Sequence, residues 1–321
     1  MPDSPSTSEE QIASSQPIGP RLGMTALRSV LEAHGAWLEQ RPGGRRASLT
    51  GVVLAEAALD KINLQYADLK AANFIDASLS GANLSGAILH FADLSNATLI
   101  EADVSQAELV DAKLDYALLG GANFSEARFL RVSLQCASLR GTHLLETNME
   151  NCDFARAVLH DAQLLQSKAF DCNFAEADLV GANLYHCVFR YCKLSGISAA
   201  RSNWANALVQ NCEFRRADLV SARFDRADLS QSCFWKADLS GCSFQSTRLN
   251  GTDLEAADLT GTRFHEAATA NANFRGADLR AAQGLTQTQL GQALTDRDTI
   301  LPDGSHGPFL RGSGAHRPCR I

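Results

Sequence analysis

The chain has 321 residues, of which 45% are hydrophobic and 7% are aromatic, and its formal net charge is −7. That hydrophobic content can bury a sizeable core, whereas a net negative charge is not typical of a direct nucleic-acid binder. No apolar run reaches the roughly 18 residues that a transmembrane helix needs, so no membrane partner is expected.

The N-terminal residues 1–22 are rich in Ser and Pro, and we expect them to be disordered. They are polar and contain no apolar signal-peptide core, which predicts a cytoplasmic protein. Beyond them, apolar residues follow a helical spacing at Leu27, Val30, Leu31, His34 and Leu38. This pattern predicts an amphipathic helix over residues 25–40 inside an N-terminal cap of residues 23–46, which ends in a Pro-Gly-Gly sequence.

From Leu49 to Leu279 a position typically held by a large apolar residue recurs every five residues, without insertion or deletion. We call it the large inward position, because we expect its side chain to point into the core. Of these 47 positions, 28 are Leu and 12 are Phe, and the position two residues earlier is Ala in 29 units. In extended backbone, residues two apart point to the same side. Each unit therefore predicts a very short strand with a small and a large residue inward, followed by a corner. Gly stands at 11 of these corners, where a turn needs positive φ.

Asp or Asn separates the small residue from the large one in stretches such as GANLSGAIL, FADLSNATL, EADLVGANL and AADLTGTRF. They match the A(D/N)LXX signature, and the chain resembles the pentapeptide-repeat proteins over residues 47–283. The resemblance implies an all-β fold, a right-handed quadrilateral parallel β-helix with 20 residues per coil and short α-helical caps. About 12 such coils form a rod of ~56 Å. Ten of the 12 Phe residues would fall on two opposite faces of it.

At the C-terminal end, Thr286 and Gln289 have the spacing of a capping box, which predicts a short helix to about Leu294. The segment DTILPDG then predicts an extended return and a turn, so that residues 284–303 form a C-terminal cap. Such caps are expected because an uncovered terminal coil invites edge-to-edge association. Residues 304–321 are rich in Gly and Ser and are expected to be disordered.

No catalytic constellation is visible, since the sequence contains no P-loop and no HExxH motif. Five histidines occupy outward positions that are scattered over several faces: His90, His143, His160, His186 and His265. We therefore expect a protein that is not an enzyme and needs no cofactor and no metal. An enzyme remains the third function class.

Four cysteines recur every 20 residues at the small inward position: Cys152, Cys172, Cys192 and Cys212. A 20-residue coil places them in one column with steps of ~4.8 Å. A column cannot bring four sulfurs to one tetrahedral metal ion, and a reducing compartment disfavours disulfides. The spacing predicts a structural ladder of buried, reduced thiols.

The residue after each large inward residue should face solvent, and in most units it is polar. Apolar exceptions, together with one aromatic residue a position later, form a candidate interaction patch: Leu130, Leu145, Leu165, Phe170, Tyr185 and Tyr191. The spacing stacks Leu145, Leu165 and Tyr185 on successive coils and assigns the other three to the adjacent face. Contiguous exposed apolar surface usually marks an interface.

One alternative concerns Phe170, which follows an Ala at a large inward position. A one-residue shift could move Phe170 into the core as a local bulge, and it would then leave the patch. The unit around Ala199 has the same irregularity.

Charge is uneven along the chain. Residues 47–185 contain 18 acids and 8 bases, a net of −10, whereas residues 186–281 contain 10 acids and 12 bases, a net of +2. Some quinolone-resistance pentapeptide proteins mimic DNA and bind gyrase, so the resemblance implies a topoisomerase as one partner. The arginines of the second half argue against that interpretation.

The leading hypothesis is a non-catalytic, rigid protein–protein interaction scaffold with an unidentified protein partner. A homodimer is also considered. The alternative is a DNA-mimicking protein that binds DNA gyrase or topoisomerase and modulates quinolone or toxin sensitivity.

Overall fold

The computed structural model describes residues 19–20 and 22–318. Parallel pairing joins each repeat to the one 20 residues later, as between Ser48 and Asp68 and then between Asp68 and Ile88. One such ladder runs without a gap from residue 48 to residue 268, through twelve residues. The fold is therefore a parallel β-solenoid of twelve coils, as predicted. No helix among the described residues combines the length and the apolar character that crossing a membrane requires.

Each coil has four faces, which we number by their large inward residues. The first face carries positions 49 to 269, the second 54 to 274, the third 59 to 279 and the fourth 64 to 264, each in steps of 20. Phe rings stack inside the second face, with centroids 4.7 Å apart for Phe154 and Phe174. They also stack inside the fourth face, with 5.4 Å between Phe224 and Phe244. The predicted concentration of Phe on two opposite faces is confirmed.

The coil closes because every corner turns through the left-handed region. All 47 residues that stand two positions after a large inward residue have positive φ, and 36 of them are not Gly. Tyr66 is one of these, with φ 59°. A non-Gly residue in this region costs about 1–2 kcal/mol. The hydrogen bonds to the next coil offset that cost, as at Ala71, whose N–H donates to the carbonyl of His90 at 2.7 Å.

Within the part of the chain that the structure describes, regular strands form only on the first face, in six consecutive coils. They are β1 Glu108–Val110, β2 Arg128–Leu130, β3 Asn148–Glu150, β4 Lys168–Phe170, β5 Val188–Arg190 and β6 Leu208–Gln210. They pair in parallel in that order and in steps of 20 residues. This six-stranded sheet is the outer surface of the rod on that face.

The bulge interpretation of Phe170 is wrong. Strand β4 keeps the register of its neighbours, with Ala169 opposite both Met149 and Phe189. Ala169 is fully buried, whereas Phe170 points outward and is partly exposed. A bulge is unnecessary because the Phe174 ring stacks on Phe189 at 5.4 Å and fills the core beside Ala169.

The coil with Ala199 is filled by another residue, Trp204, which is fully buried. Its ring lies 5.6 Å from that of Phe189 and 5.7 Å from that of Phe214, so it reaches across the interior. Its indole N–H donates to the Ser202 hydroxyl at 2.8 Å. The large side chain thus compensates for the small residue without leaving a buried donor unpaired.

The N-terminal cap is helix α1, Met24–Leu38, close to the predicted residues 25–40. Leu27 and His34 belong to this helix, and both are buried. The Nδ1 atom of His34 accepts a hydrogen bond from the N–H of Ala47 at 3.1 Å, which fixes the helix to the first coil. The expected disordered tail, residues 1–22, lies outside the described residues except for positions 19, 20 and 22.

The C-terminal cap contains helix α2, Gln287–Gln292, and the predicted capping box is confirmed. The hydroxyl of Thr286 accepts from the N–H of Gln289, and the Gln289 side-chain carbonyl accepts from the N–H of Thr286. The Gln289 amide also donates to the carbonyls of Phe264 and Ala267, at 3.0 and 2.9 Å. One side chain therefore starts the helix and closes the last coil.

The chain beyond residue 303 differs from the expectation of a disordered tail. Through residue 318 it is described, and His306 pairs antiparallel with Ile300. The N–H of Phe309 donates to the Thr295 hydroxyl at 3.0 Å, and the Phe309 side chain packs against the core. Apolar contact that composition does not reveal holds this segment on the last coil.

Candidate interaction surface

The structure arranges all six predicted patch residues on or beside the first-face sheet. Leu130 and Phe170 are the last residues of β2 and β4 and point outward. Tyr191 stands at the corner that follows β5, with φ 57° and 58% of its surface exposed. The remaining three lie at the corner that precedes this face. We call the whole set the first-face patch: Leu130, Leu145, Leu165, Phe170, Tyr185 and Tyr191.

Three of these residues form a ridge parallel to the rod axis, which we call the corner ridge: Leu145, Leu165 and Tyr185. The N–H of Glu146 donates to the Leu165 carbonyl at 3.0 Å, and the N–H of Gln166 donates to the Tyr185 carbonyl at 3.1 Å. These bonds place the three residues one above another on successive coils, in the order that the spacing predicts. All three are at least partly exposed.

The sheet between the patch residues is itself partly apolar, which the sequence reasoning missed. Val110, Val188 and Leu208 are outward residues of β1, β5 and β6, and each is partly exposed. The guanidinium of Arg190 lies 6.0 Å from the Phe170 ring centroid, within cation–π range. Val188 and Leu208 precede their large inward residues, so examining both outward positions of each unit would have found them.

The four ladder cysteines are buried in one column behind the edge of this sheet. The Cys152 thiol donates to the carbonyl of Glu150 at 3.3 Å, and Cys172 does the same to Phe170. Hydrogen bonding to Cys172, together with burial, raises the pKa of Cys152. The preceding thiol lowers the pKa of Cys172, but the thiol of Cys192 and burial outweigh it and raise that pKa to about 12. The thiols of Cys152 and Cys172 are therefore protonated at neutral pH.

Acidic side chains are spread around the N-terminal part of the rod. Asp68 lies on the first face, Asp93 on the second and Asp103 on the fourth. Each lies next to a large inward residue in its strand, and the carboxylates of Asp93 and Asp103 accept from backbone N–H groups two residues later at 3.0 Å. The carboxylates of Asp93 and Asp103 therefore stabilise the corners by accepting these hydrogen bonds.

Within residues 19–20 and 22–318, no group of three or more His, Cys, Asp or Glu side chains is placed to hold a metal ion. Two of the outward histidines contact carboxylates instead. His90 lies 3.1 Å from Glu108, and His160 lies 2.8 Å from Asp161.

Family models for pentapeptide repeats match almost the whole solenoid. The model of eight pentapeptide repeats matches residues 47–86, 67–106, 107–144, 133–167 and 170–203, and a pentapeptide repeat region matches residues 217–293. The chain belongs to the pentapeptide-repeat family. The family explains the five-residue period and the 20-residue register that the structure shows.

Several solved pentapeptide-repeat structures are similar to this chain. HetL from the cyanobacterium Nostoc, a protein involved in regulating heterocyst differentiation, is 26% identical. The match covers 85% of this chain and 98% of HetL, with a TM-score of 0.40. A trypsin-treated form of QnrB1, a plasmid-mediated fluoroquinolone resistance protein, is 22% identical over 59% of this chain and 89% of its own, with a TM-score of 0.27. A search of curated proteins finds no match.

Proposed function

We propose that this pentapeptide-repeat protein is a non-catalytic scaffold that binds a protein partner through the first-face patch. The observation that carries the proposal is the placement of six separately predicted apolar residues around one regular sheet. Contiguous apolar surface that is at least partly exposed usually marks an interface, and aromatic residues such as Phe170 and Tyr191 are typical anchors.

The rod suits this role because its surface is already ordered before binding. Strands β1 to β6 span five inter-coil steps, or about 24 Å, and each is paired with its neighbours in register. A rigid surface loses little conformational entropy on association, so more of the contact energy is available as affinity.

The test is a charge introduced into the patch. Leu165→Glu combined with Phe170→Glu places two carboxylates where the partner's apolar surface should sit, and both side chains already point outward. We expect loss of partner capture in pull-downs, or loss of self-association in sedimentation velocity if the partner is a second copy. Circular dichroism should show an unchanged fold.

A matched control uses the opposite face. Val158→Glu combined with Val180→Glu introduces the same charges at outward positions of the third face. This control should retain capture. Equal behaviour of the two double variants would contradict the assignment of the patch.

A second candidate function is mimicry of DNA toward a topoisomerase, favoured by the net charge of −10 over residues 47–185. The test is a gyrase supercoiling assay with and without a quinolone. Protection that persists in the patch variant and disappears when exposed acids such as Glu56 and Glu101 are neutralised would favour mimicry over the scaffold.

A further inference from the structure

A cavity of about 400 Å³ lies at the corner between the fourth and first faces, directly beyond the last residue of the corner ridge. Tyr185 forms one wall, and Asp225 with Arg226 forms the opposite wall. Arg223 and Gln245 also line it.

The cavity exists because one corner residue is small. Leu145, Leu165, Tyr185, Ala205 and Asp225 occupy equivalent positions in five successive coils. At Ala205 the side chain is a methyl group and is 5% exposed, so the column has a notch between two larger neighbours. The notch is one inter-coil step, about 4.8 Å, past the end of the corner ridge.

The charge of the cavity is positive. Asp225 is engaged on both oxygens, since one accepts from the Ser243 hydroxyl and the other lies 3.4 Å from both the Nε and Nη2 atoms of Arg223. Arg226 is exposed and forms no ion pair with any residue that the structure describes. With two guanidinium groups and one carboxylate, the lining retains one positive charge, and Arg226 provides the available donor.

We propose that this cavity is a carboxylate-binding pocket for the partner of the first-face patch. It rests on the proposed function and adds to it the chemistry of the partner. The partner would be a protein segment with apolar side chains against Leu165 and Tyr185, followed by an Asp or Glu side chain that enters the notch at Ala205 and pairs with Arg226. Arginine suits this role because its planar fork can donate two parallel hydrogen bonds to one carboxylate.

The geometry also sets the spacing within that segment. The notch at Ala205 is two inter-coil steps from Leu165, or about 9.6 Å. An extended segment covers this distance in about three residues and a helix in about six. The acid should therefore lie about three residues from the apolar residue that contacts Leu165 if the segment is extended, and about six residues from it if the segment is helical.

A fragment experiment tests the pocket without knowledge of the partner. The probes are 4-phenylbutyrate, which joins an apolar ring to a carboxylate, and 4-phenylbutanol, which has the same ring and no charge. Titrated into the full chain and followed by amide chemical shifts, the acid should saturate with a dissociation constant on the order of 1 mM. The shifts should centre on Ala205, Asn206 and Arg226. The alcohol should bind at least about tenfold more weakly, the expected scale for one charge-assisted hydrogen bond.

Arg226→Gln should reduce binding of the acid to the level of the alcohol. The matched control is Arg201→Gln, which removes one exposed arginine from an equivalent left-handed position, φ 57° against 59° for Arg226, at a different corner. This control should bind the acid as the parent chain does. Equal binding of the two probes, shifts centred elsewhere, no saturation up to about 10 mM, or an unchanged Arg226→Gln variant would each overturn the proposal.

Failure of the pocket can be distinguished from failure of the scaffold. If Leu165→Glu with Phe170→Glu abolishes partner capture while Arg226→Gln binds the acid normally, the scaffold stands and the pocket is refuted. If the acid binds as expected but neither the double variant nor Arg226→Gln changes capture, the pocket exists and the scaffold proposal is wrong.

Discussion

The first and third faces of the solenoid have the same inward pattern but different corners. On the third face every corner is closed by a backbone hydrogen bond across three residues, such as that from the N–H of Ala182 to the carbonyl of Leu179 at 3.0 Å. On the first face this bond closes the early corners, for example from Val52 to Leu49, but not the six corners that follow β1 to β6. The third face forms isolated bridges throughout, whereas the first face forms a continuous sheet from β1 to β6 and isolated bridges in its other coils.

This difference shows that the inward residues do not select the corner type. Ala112 and Cys172 both follow an open corner of the first face, whereas Ala182 follows a closed one. Because each strand pairs in register with the strands before and after it, neighbouring corners adopt the same form. The open corners border the sheet that carries the first-face patch.

The largest expected effect concerns the way each face compensates for a missing large residue. Trp204→Ala should destabilise the rod by about 3–5 kcal/mol, because it empties the interior beside Ala199 of the third face. Phe174→Ala should cost a similar amount beside Ala169 of the first face. Urea unfolding followed by circular dichroism measures both. A loss below about 1 kcal/mol in either variant would show that its ring is not the compensating group.

The reverse substitutions sharpen the same point. If Phe174 and Trp204 already fill the interior, then Ala169→Leu and Ala199→Leu should overpack it and cost about 1–3 kcal/mol each. Restoring the family's usual residue would otherwise be expected to stabilise the coil. A rise in the urea midpoint for either variant would reveal unfilled space at that face.

A third prediction concerns the cysteine ladder behind the first-face sheet. The raised pKa values of Cys152, Cys172 and Cys192 mean that the folded state keeps thiols protonated that ionise in the unfolded chain near pH ~8.5. Their contribution to the free energy of unfolding is complete below that pH. It is lost as the pH rises, by up to about 1.4 kcal/mol per thiol for each pH unit.

Urea midpoints measured between about pH 7 and pH 10 test this dependence. A variant with Ala at all three positions should lose less stability over this range than the parent chain. Identical pH profiles would mean that these thiols are not buried in the folded protein.

The smallest expected effect is local. The amide of Cys172 follows an open corner and lacks the bond that the Ala182 amide makes at its closed corner. Its hydrogen exchange should be about five- to tenfold faster, which corresponds to the roughly 1 kcal/mol that one hydrogen bond contributes. Global unfolding should expose both amides equally, because they belong to adjacent parts of one coil stack. The ratio of their exchange rates therefore reports only the local difference. Equal protection would show that the corner difference has no energetic weight.

Much of this protein follows directly from its sequence. A strict five-residue period forces small and large residues to the same side of extended backbone, so spacing alone places the inward columns from Leu49 to Leu279 and the Cys ladder. Capping chemistry is equally local, and the pair Thr286 and Gln289 therefore identifies the start of α2. The patch residues are visible for the same reason, as apolar exceptions at outward positions.

Three other features follow only from the tertiary structure, because they depend on contacts between coils. The choice between a bulge and a regular strand at Phe170 is set by whether neighbouring rings fill the space beside Ala169, and Phe174 does so from another face. The restriction of regular strands to the first face arises from register between six coils, which no single repeat encodes. The pocket at Ala205 likewise exists only because stacking places one methyl group between Tyr185 and Asp225, residues that are 40 positions apart in the chain.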